Sequence, residues 1–229
     1  MTQTADKIIV ALDVPTEKEA INVVERLRQH VSRFKVGLQL YTAAGPNVVR
    51  EIVRTGANVF LDLKLHDIPN TVGSAVKSAV DLGADMMTIH LSGGEEMIRA
   101  AVDAGENRTT ILGVTVLTSQ TDETLNSVGI KEPVEAQVVR LARLGVECGV
   151  GGLVASPLEA AVLRRQIPPK IRIVTPGIRP RWAAAGDQKR VTTPREALEA
   201  GADYLVVGRP IIADPDPAGA VQRLLAEIA

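Results

Sequence analysis

The segment Gly56-Ala-Asn-Val-Phe-Leu-Asp-Leu-Lys-Leu-His-Asp-Ile-Pro-Asn-Thr-Val-Gly-Ser-Ala-Val-Lys-Ser-Ala-Val-Asp-Leu-Gly-Ala-Asp85 contains one full unit of this chain's architecture. Residues 58–65 alternate with period two, Leu61, Leu63 and Leu65 on one face and Asp62 and Lys64 on the other, which reads as a strand. Residues 72–82 then take up helical spacing. Gly-Ala-Asn or Gly-Ala-Asp stands at both ends of the unit, at 56–58 and 83–85, and recurs at 201–203. Each is a place where a glycine closes a helix in the left-handed conformation and the next strand begins.

Outward from this unit the same alternation fills the chain. Further strand-like runs lie at 8–13, 34–38, 86–91, 110–117, 152–157, 171–178 and 204–210. Amphipathic stretches at 17–30, 132–144 and 218–228 separate some of them. Crossovers in place of tight hairpin turns imply parallel pairing. Eight βα units in 229 residues predict a single-domain α/β protein, a TIM-type (β/α)8 barrel spanning 1–229. No Gly-x-Gly-x-x-Gly follows the first strand, which argues against a dinucleotide fold. The connection at 120–131 reads as loop plus a short helical turn.

Composition narrows the function. Lys plus Arg number 26 and Asp plus Glu 27, a net charge of −1 that offers no footprint for nucleic acid or an anionic membrane. The five aromatic residues, Phe34, Tyr41, Phe60, Trp182 and Tyr204, make no stacking platform for single strands. One cysteine, Cys148, excludes an intramolecular disulfide and reads as a reduced thiol. Charges interrupt every apolar run before membrane-spanning length, and the first ten residues carry no signal-like segment. The expectation is a cytoplasmic globular protein that binds neither membrane nor nucleic acid.

In a barrel of this type chemistry sits at the carboxyl ends of the strands, which is where the charges fall. Asp62 and Lys64 point into the mouth on the third strand. Asp13 closes the first strand and Lys35 opens the second, each opposite in parity to its apolar neighbours, and Asp67 follows the third. A salt bridge closing the interior explains Asp62 and Lys64 equally well as a pair. Lys35, Asp62, Lys64 and Asp67 together predict an alternating array of two cations and two anions. Flanking carboxylates favour a charged lysine, and attraction at about 4 Å is worth several kcal/mol at intermediate dielectric, so such an ammonium serves as proton source and anion stabiliser.

Asp62-Leu-Lys64-Leu-His-Asp67-Ile68-Pro69-Asn70-Thr71 resembles the signature of the orotidine 5′-monophosphate decarboxylases. Ile9-Val-Ala-Leu-Asp13, Phe34-Lys35-Val-Gly37 and Val206-Val-Gly208-Arg209-Pro210-Ile211 are similar to the family's first, second and eighth strands, in order and in the bacterial spacing. The likeness covers essentially the whole chain. It implies cofactor-free and metal-free decarboxylation of orotidine 5′-monophosphate to uridine 5′-monophosphate, the last step of pyrimidine nucleotide synthesis. By resemblance, Lys64 is proton donor, Asp62 lies beside the substrate carboxylate, and Lys35, Asp67 and Asp13 meet the ribose. Thr118 matches the position at the pyrimidine edge, Gly208 and Arg209 the phosphate cradle, and Arg179 and Gln188 a closing loop. Asp67, Ile68 and Thr71 would reach into a neighbouring subunit's site, implying a homodimer with shared sites.

Other residues invite plainer readings. His66 reads as a loop histidine, His90 as packing at the end of the fourth strand, and His30 as a cation at a helix C-terminus. The three are too scattered to propose a metal site. Ser92-Gly-Gly94 reads as a strand-to-helix turn. Trp182 reads either as an anchor for the loop or as an exposed aromatic. Two other functions share the pattern: a magnesium-dependent keto-sugar-phosphate decarboxylase using the same Asp-x-Lys-x-x-Asp strand, and a non-catalytic nucleotide-binding barrel.

Overall fold

A computed structural model describes residues 4–183 and 192–228. Eight parallel strands close into a barrel in chain order: β1 (Ile8–Ala11), β2 (Arg33–Gly37), β3 (Asn58–Leu65), β4 (Met86–His90), β5 (Thr110–Val114), β6 (Gly152–Val154), β7 (Arg172–Thr175) and β8 (Tyr204–Val207). Closure comes from β8 pairing with β1 through Ile9 and Val206. Helices include Glu17–Leu27 after β1, Pro69–Leu82 after β3, Glu95–Ala104 after β4, Val134–Glu147 after β5 and Pro217–Ile228 after β8. The (β/α)8 barrel expected from the period-two and helical patterns is the fold observed.

Strand parity creates two cores. Ile8, Val10, Phe34, Val36 and Leu61 face outward into the layer between sheet and helices. Ile9, Ala11, Phe60, Met86, Leu112 and Val174 face inward and fill the barrel as packed side chains. The Gly-Ala-Asn/Asp repeats do what their sequence suggests: Gly56, Gly83 and Gly201 have φ of 85°, 85° and 106°. Two repeat aspartates also secure the end of the barrel away from the mouth. Asp85 pairs with Arg33 at 3.2 Å, and Asp203 accepts from Arg164 at 2.6 Å and from the Ile173 amide at 2.8 Å.

Several boundaries differ from expectation for a common reason. The apolar runs at 8–13, 110–117 and 204–210 extend past the ends of β1, β5 and β8, because hydropathy reports burial and not strand geometry; the Leu12 amide still donates to the Lys35 carbonyl at 2.9 Å. Leu12 and Val116 are buried although they lie beyond β1 and β5. Leu38, expected to end β2, instead begins the helix Leu38–Ala44 and is exposed. The helix after β3 starts at Pro69 and not at residue 72, since proline at the first helical position loses no hydrogen bond and brings a helical φ. The first helix ends at Leu27, leaving His30 in the turn that follows. Residues 120–131 do hold a short helix, Asp122–Ser127, with a Thr121 capping box. Among the described residues no helix is long and apolar enough to cross a membrane.

Candidate active site

Three neighbouring strands deliver charge to the mouth. In the β2–β3 register Gly37 lies opposite Asp62 and Lys35 opposite Phe60, so Lys35 sits one pleat below the carboxylate. Lys64 Nζ donates to Asp62 Oδ1 at 2.8 Å, and Lys35 Nζ lies 3.7 Å from Asp62 Oδ2. Lys35 also donates to Asp13 Oδ1 at 3.2 Å. The result is a linear run, Asp13–Lys35–Asp62–Lys64. The Asp62 side chain keeps 13% of its exposure, Lys35 11% and Lys64 27%, whereas Asp13 is half exposed. A carboxylate this sheltered is tolerated only with partners on both oxygens. Burial pushes the Asp62 carboxyl upward, but the ammonium groups of Lys35 and Lys64 and the hydrogen bonds from Lys64 and Thr88 outweigh it and hold Asp62 below the usual carboxylate value.

Thr88 is the member that sequence reading passed over. It is fully buried on β4. Its hydroxyl accepts from the Lys64 amide at 2.8 Å and donates to Asp62 Oδ1 at 3.0 Å. Pairing between β3 and β4 shifts register here: Leu61 lies opposite Met87 and Leu65 opposite Ile89, so three residues of β3 face one of β4. Lys64 accordingly has φ of 51°, in the left-handed region that non-glycine residues seldom occupy. The one available signal was parity, since Thr88 shares the polar face of its strand with His90.

Lys35, Asp62 and Lys64 line a cavity together with Phe60, Val116 and Thr118. Its remaining walls are mainly apolar, so charges inside interact more strongly than they would in water. Of the residues expected at the site, Lys35, Asp62 and Lys64 therefore meet directly, Thr118 lines the same cavity, and Asp13 joins through Lys35. Gly208 is beside them: a Cβ built on it would lie 3.3 Å from Asp13 Oδ2. Arg209 follows at the exposed start of the helix Arg209–Ile212.

Asp67 does not join the array within its own chain. Its carboxylate accepts the Ile68 amide at 2.6 Å, on the exposed rim where β3 hands over to the next helix, and the second carboxylate of the array is Asp13. The expected quartet is corrected to that extent, because Asp67 lies beyond the end of the strand that carries Asp62 and Lys64. Ile68 and Thr71 are exposed on the same rim, Ile68 at 66%. Arg179 lies beyond β7, its amide donating to the Thr192 carbonyl at 3.0 Å. Gln188 is outside the described residues, as is most of the expected closing loop. Trp182, at the start of that loop, lies under the Arg223 guanidinium at 4.7 Å. His66 and His90 face each other with ring centroids 5.6 Å apart. Burial, followed by the charges of His66 and Lys64, lowers the His90 pKa. Cys148 is buried and free, and burial raises its thiol pKa.

Comparison with known proteins places the chain in a family. Residues 6–224 match the family model described as the orotidine 5′-phosphate decarboxylase / HUMPS family. An orotidine 5′-phosphate decarboxylase of Opitutus terrae is 52% identical over 224 residues, covering 96% of this chain and 97% of the relative. One from Geobacter sulfurreducens is 50% identical over 232 residues, covering 99% of this chain and 97% of the relative. The crystal structure of orotidine 5′-phosphate decarboxylase from Lactobacillus acidophilus superposes with a TM-score of 0.86 at 36% identity, over 97% of this chain and 99% of that one.

Proposed function

This chain belongs to the orotidine 5′-phosphate decarboxylase / HUMPS family, and from that premise we propose how its residues carry the conversion of orotidine 5′-monophosphate to uridine 5′-monophosphate and carbon dioxide. It is a carboxy-lyase of pyrimidine biosynthesis. The observation that carries the assignment of roles is the Lys64 ammonium, 2.8 Å from a sheltered carboxylate on the wall of an apolar cavity.

Loss of carbon dioxide leaves an electron pair localised on a ring carbon, with no adjacent carbonyl placed to delocalise it well. A catalyst for this step must set a positive charge beside that carbon and then protonate it. Lys64 does both: its ammonium is the counter-charge as the carbanion forms and the acid that quenches it. Asp62 remains ionised because Lys35 and Lys64 hold its pKa down. It keeps Lys64 aimed and stands beside the substrate carboxylate, where like-charge contact raises the ground state and is relieved as carbon dioxide departs. Lys35 ties Asp62 to Asp13, and Asp13 reaches the ribose. Thr118 meets the pyrimidine edge from the cavity wall.

The phosphate lies at Gly208 and Arg209, the usual phosphate position of such barrels. Gly208 leaves room beside Asp13 that a side chain would fill, which supports the ribose and phosphate passing there. Arg179 and Gln188 contact the nucleotide from the connection after β7, Gln188 at the phosphate, and the binding energy of this remote group is expressed at the ring. Asp67, Ile68 and Thr71 complete the site of a second subunit in a homodimer. An exposed isoleucine beside an exposed aspartate on the rim of the mouth supports that arrangement.

The direct test follows the loss of orotate-type ultraviolet absorbance when orotidine 5′-monophosphate is added, with and without chelator. Turnover insensitive to chelator is expected, and turnover abolished by it would indicate a magnesium enzyme. Lys64→Ala is expected to lose nearly all turnover while still binding uridine 5′-monophosphate; near-normal turnover in that variant removes Lys64 from the proton-donor role.

A further inference from the structure

We propose that Thr88 is a positioning residue for the decarboxylation, its single hydroxyl locking the backbone of Lys64 and the carboxylate of Asp62 into one closed hydrogen-bonded ring. The inference rests on the roles given above to Lys64 and Asp62. Thr88 is absent from the lining of the cavity, so it acts through those residues and not on the substrate.

The direction of each hydrogen bond follows from elementary bonding rules. A backbone amide can only donate, so in the 2.8 Å contact from the Lys64 amide the Thr88 oxygen accepts. That leaves the hydroxyl's only proton for Asp62 Oδ1, 3.0 Å away. The same Oδ1 accepts the Lys64 ammonium at 2.8 Å. Both ends of Lys64, its main-chain nitrogen and its side-chain head, are thus tied to one pair of oxygen atoms. The arrangement replaces what the sheet gives up at this point. Three residues of β3 face one of β4, and Lys64 adopts φ of 51°. A non-glycine residue in that region is held there by its surroundings, and the Thr88 oxygen is the partner its amide finds. Thr88 is fully buried, so removing its hydroxyl leaves the Lys64 amide without the partner it has in the fold.

Valine has nearly the shape of threonine and cannot form the ring. In Thr88→Val, kcat is expected to fall roughly 10- to 100-fold, the scale of an ångström-level misplacement of a reacting group. KM for orotidine 5′-monophosphate should stay within about threefold, because the groups that bind ribose and phosphate are untouched. The acidic limb of the pH profile of kcat/KM should move to higher pH, because a hydrogen bond favouring ionised Asp62 has been removed. Thr88→Ser restores the hydroxyl without the methyl group and should recover most of the lost rate. Should the Thr88→Val chain fail to fold, Thr88→Cys, with a much weaker donor, is expected to show the same split between kcat and KM.

A folded Thr88→Val enzyme with wild-type kcat and an unmoved acidic limb overturns the inference. So does Thr88→Ser losing as much rate as Thr88→Val, which would make the methyl group's packing the cause. Lys64→Ala, run alongside, separates the two levels. If it retains turnover, the reading of Lys64 fails; if it is inactive while Thr88→Val is fully active, only the inference about Thr88 fails.

Discussion

Asp62 is sheltered from water yet ionised, and this couples stability to pH. Its folded pKa is depressed, so its contribution is complete above its unfolded value of about 4 and is lost as pH falls through the folded value. Urea denaturation between pH 5 and 3 should therefore show wild type losing stability more steeply than Asp62→Asn, which has no carboxylate to protonate. Parallel slopes would mean that Asp62 is not held below its ordinary value. Gly37 tests the array from another side. A Cβ there would come within 2.8 Å of Lys35 Nζ, the flexible end of a side chain, so the ammonium can move aside at little cost in stability. Any such shift alters its spacing from Asp13, now 3.2 Å, and from Asp62, now 3.7 Å, without removing the ammonium from the array. Gly37→Ala should lower kcat/KM roughly 10- to 100-fold, with a melting temperature within a few degrees of wild type. Equal losses of stability and activity would point to ordinary damage to the fold.

The repeated element has a signature that can be tested apart from catalysis. Gly83 caps the helix Pro69–Leu82 with φ of 85° and ψ of 22°, and its amide bonds to the Val80 carbonyl at 3.0 Å. A Cβ at this position would stand 3.2 Å from Val53 Cγ1, on a backbone conformation that L residues disfavour. Gly83→Ala is expected to cost on the order of 1–2 kcal/mol by chemical denaturation, with turnover per folded molecule unchanged. The strands show the complementary lesson. Leu12 and Val116 are buried outside any strand, so an apolar run over-predicts strand length at the mouth of the barrel. Those extra residues form the rim from which the loops of the site depart.

At the scale of the whole molecule, Asp67, Ile68 and Thr71 stand on an exposed rim, apart from their own chain's array. On the proposal that two subunits share their sites, mixing Lys64→Ala and Asp67→Ala chains creates heterodimers in which one site has both residues intact. A freely exchanging equal mixture should then recover about a quarter of wild-type activity, since about half the dimers are mixed and each of these has one good site. Subunit exchange, followed by a fluorescent label on one variant, with no recovery of turnover would show that Asp67 serves its own chain.

The repeats, the parity of Asp62 and Lys64 and the helical spacing at 72–82 were enough to read a (β/α)8 barrel with charge at its mouth, because burial imposes period two on strands and period 3.6 on helices whatever the surroundings. The signature around Lys64 was equally plain by resemblance. Tertiary structure decided where the two strands disagree. Register between β3 and β4 depends on both chains of backbone at once, so neither stretch alone could reveal three residues facing one, the left-handed turn at Lys64, or Thr88 beneath it. For the same reason Asp13, and not Asp67, turned out to be the nearer partner of Lys35: distance in the chain says little about which carboxylate a closed sheet brings within reach of an ammonium.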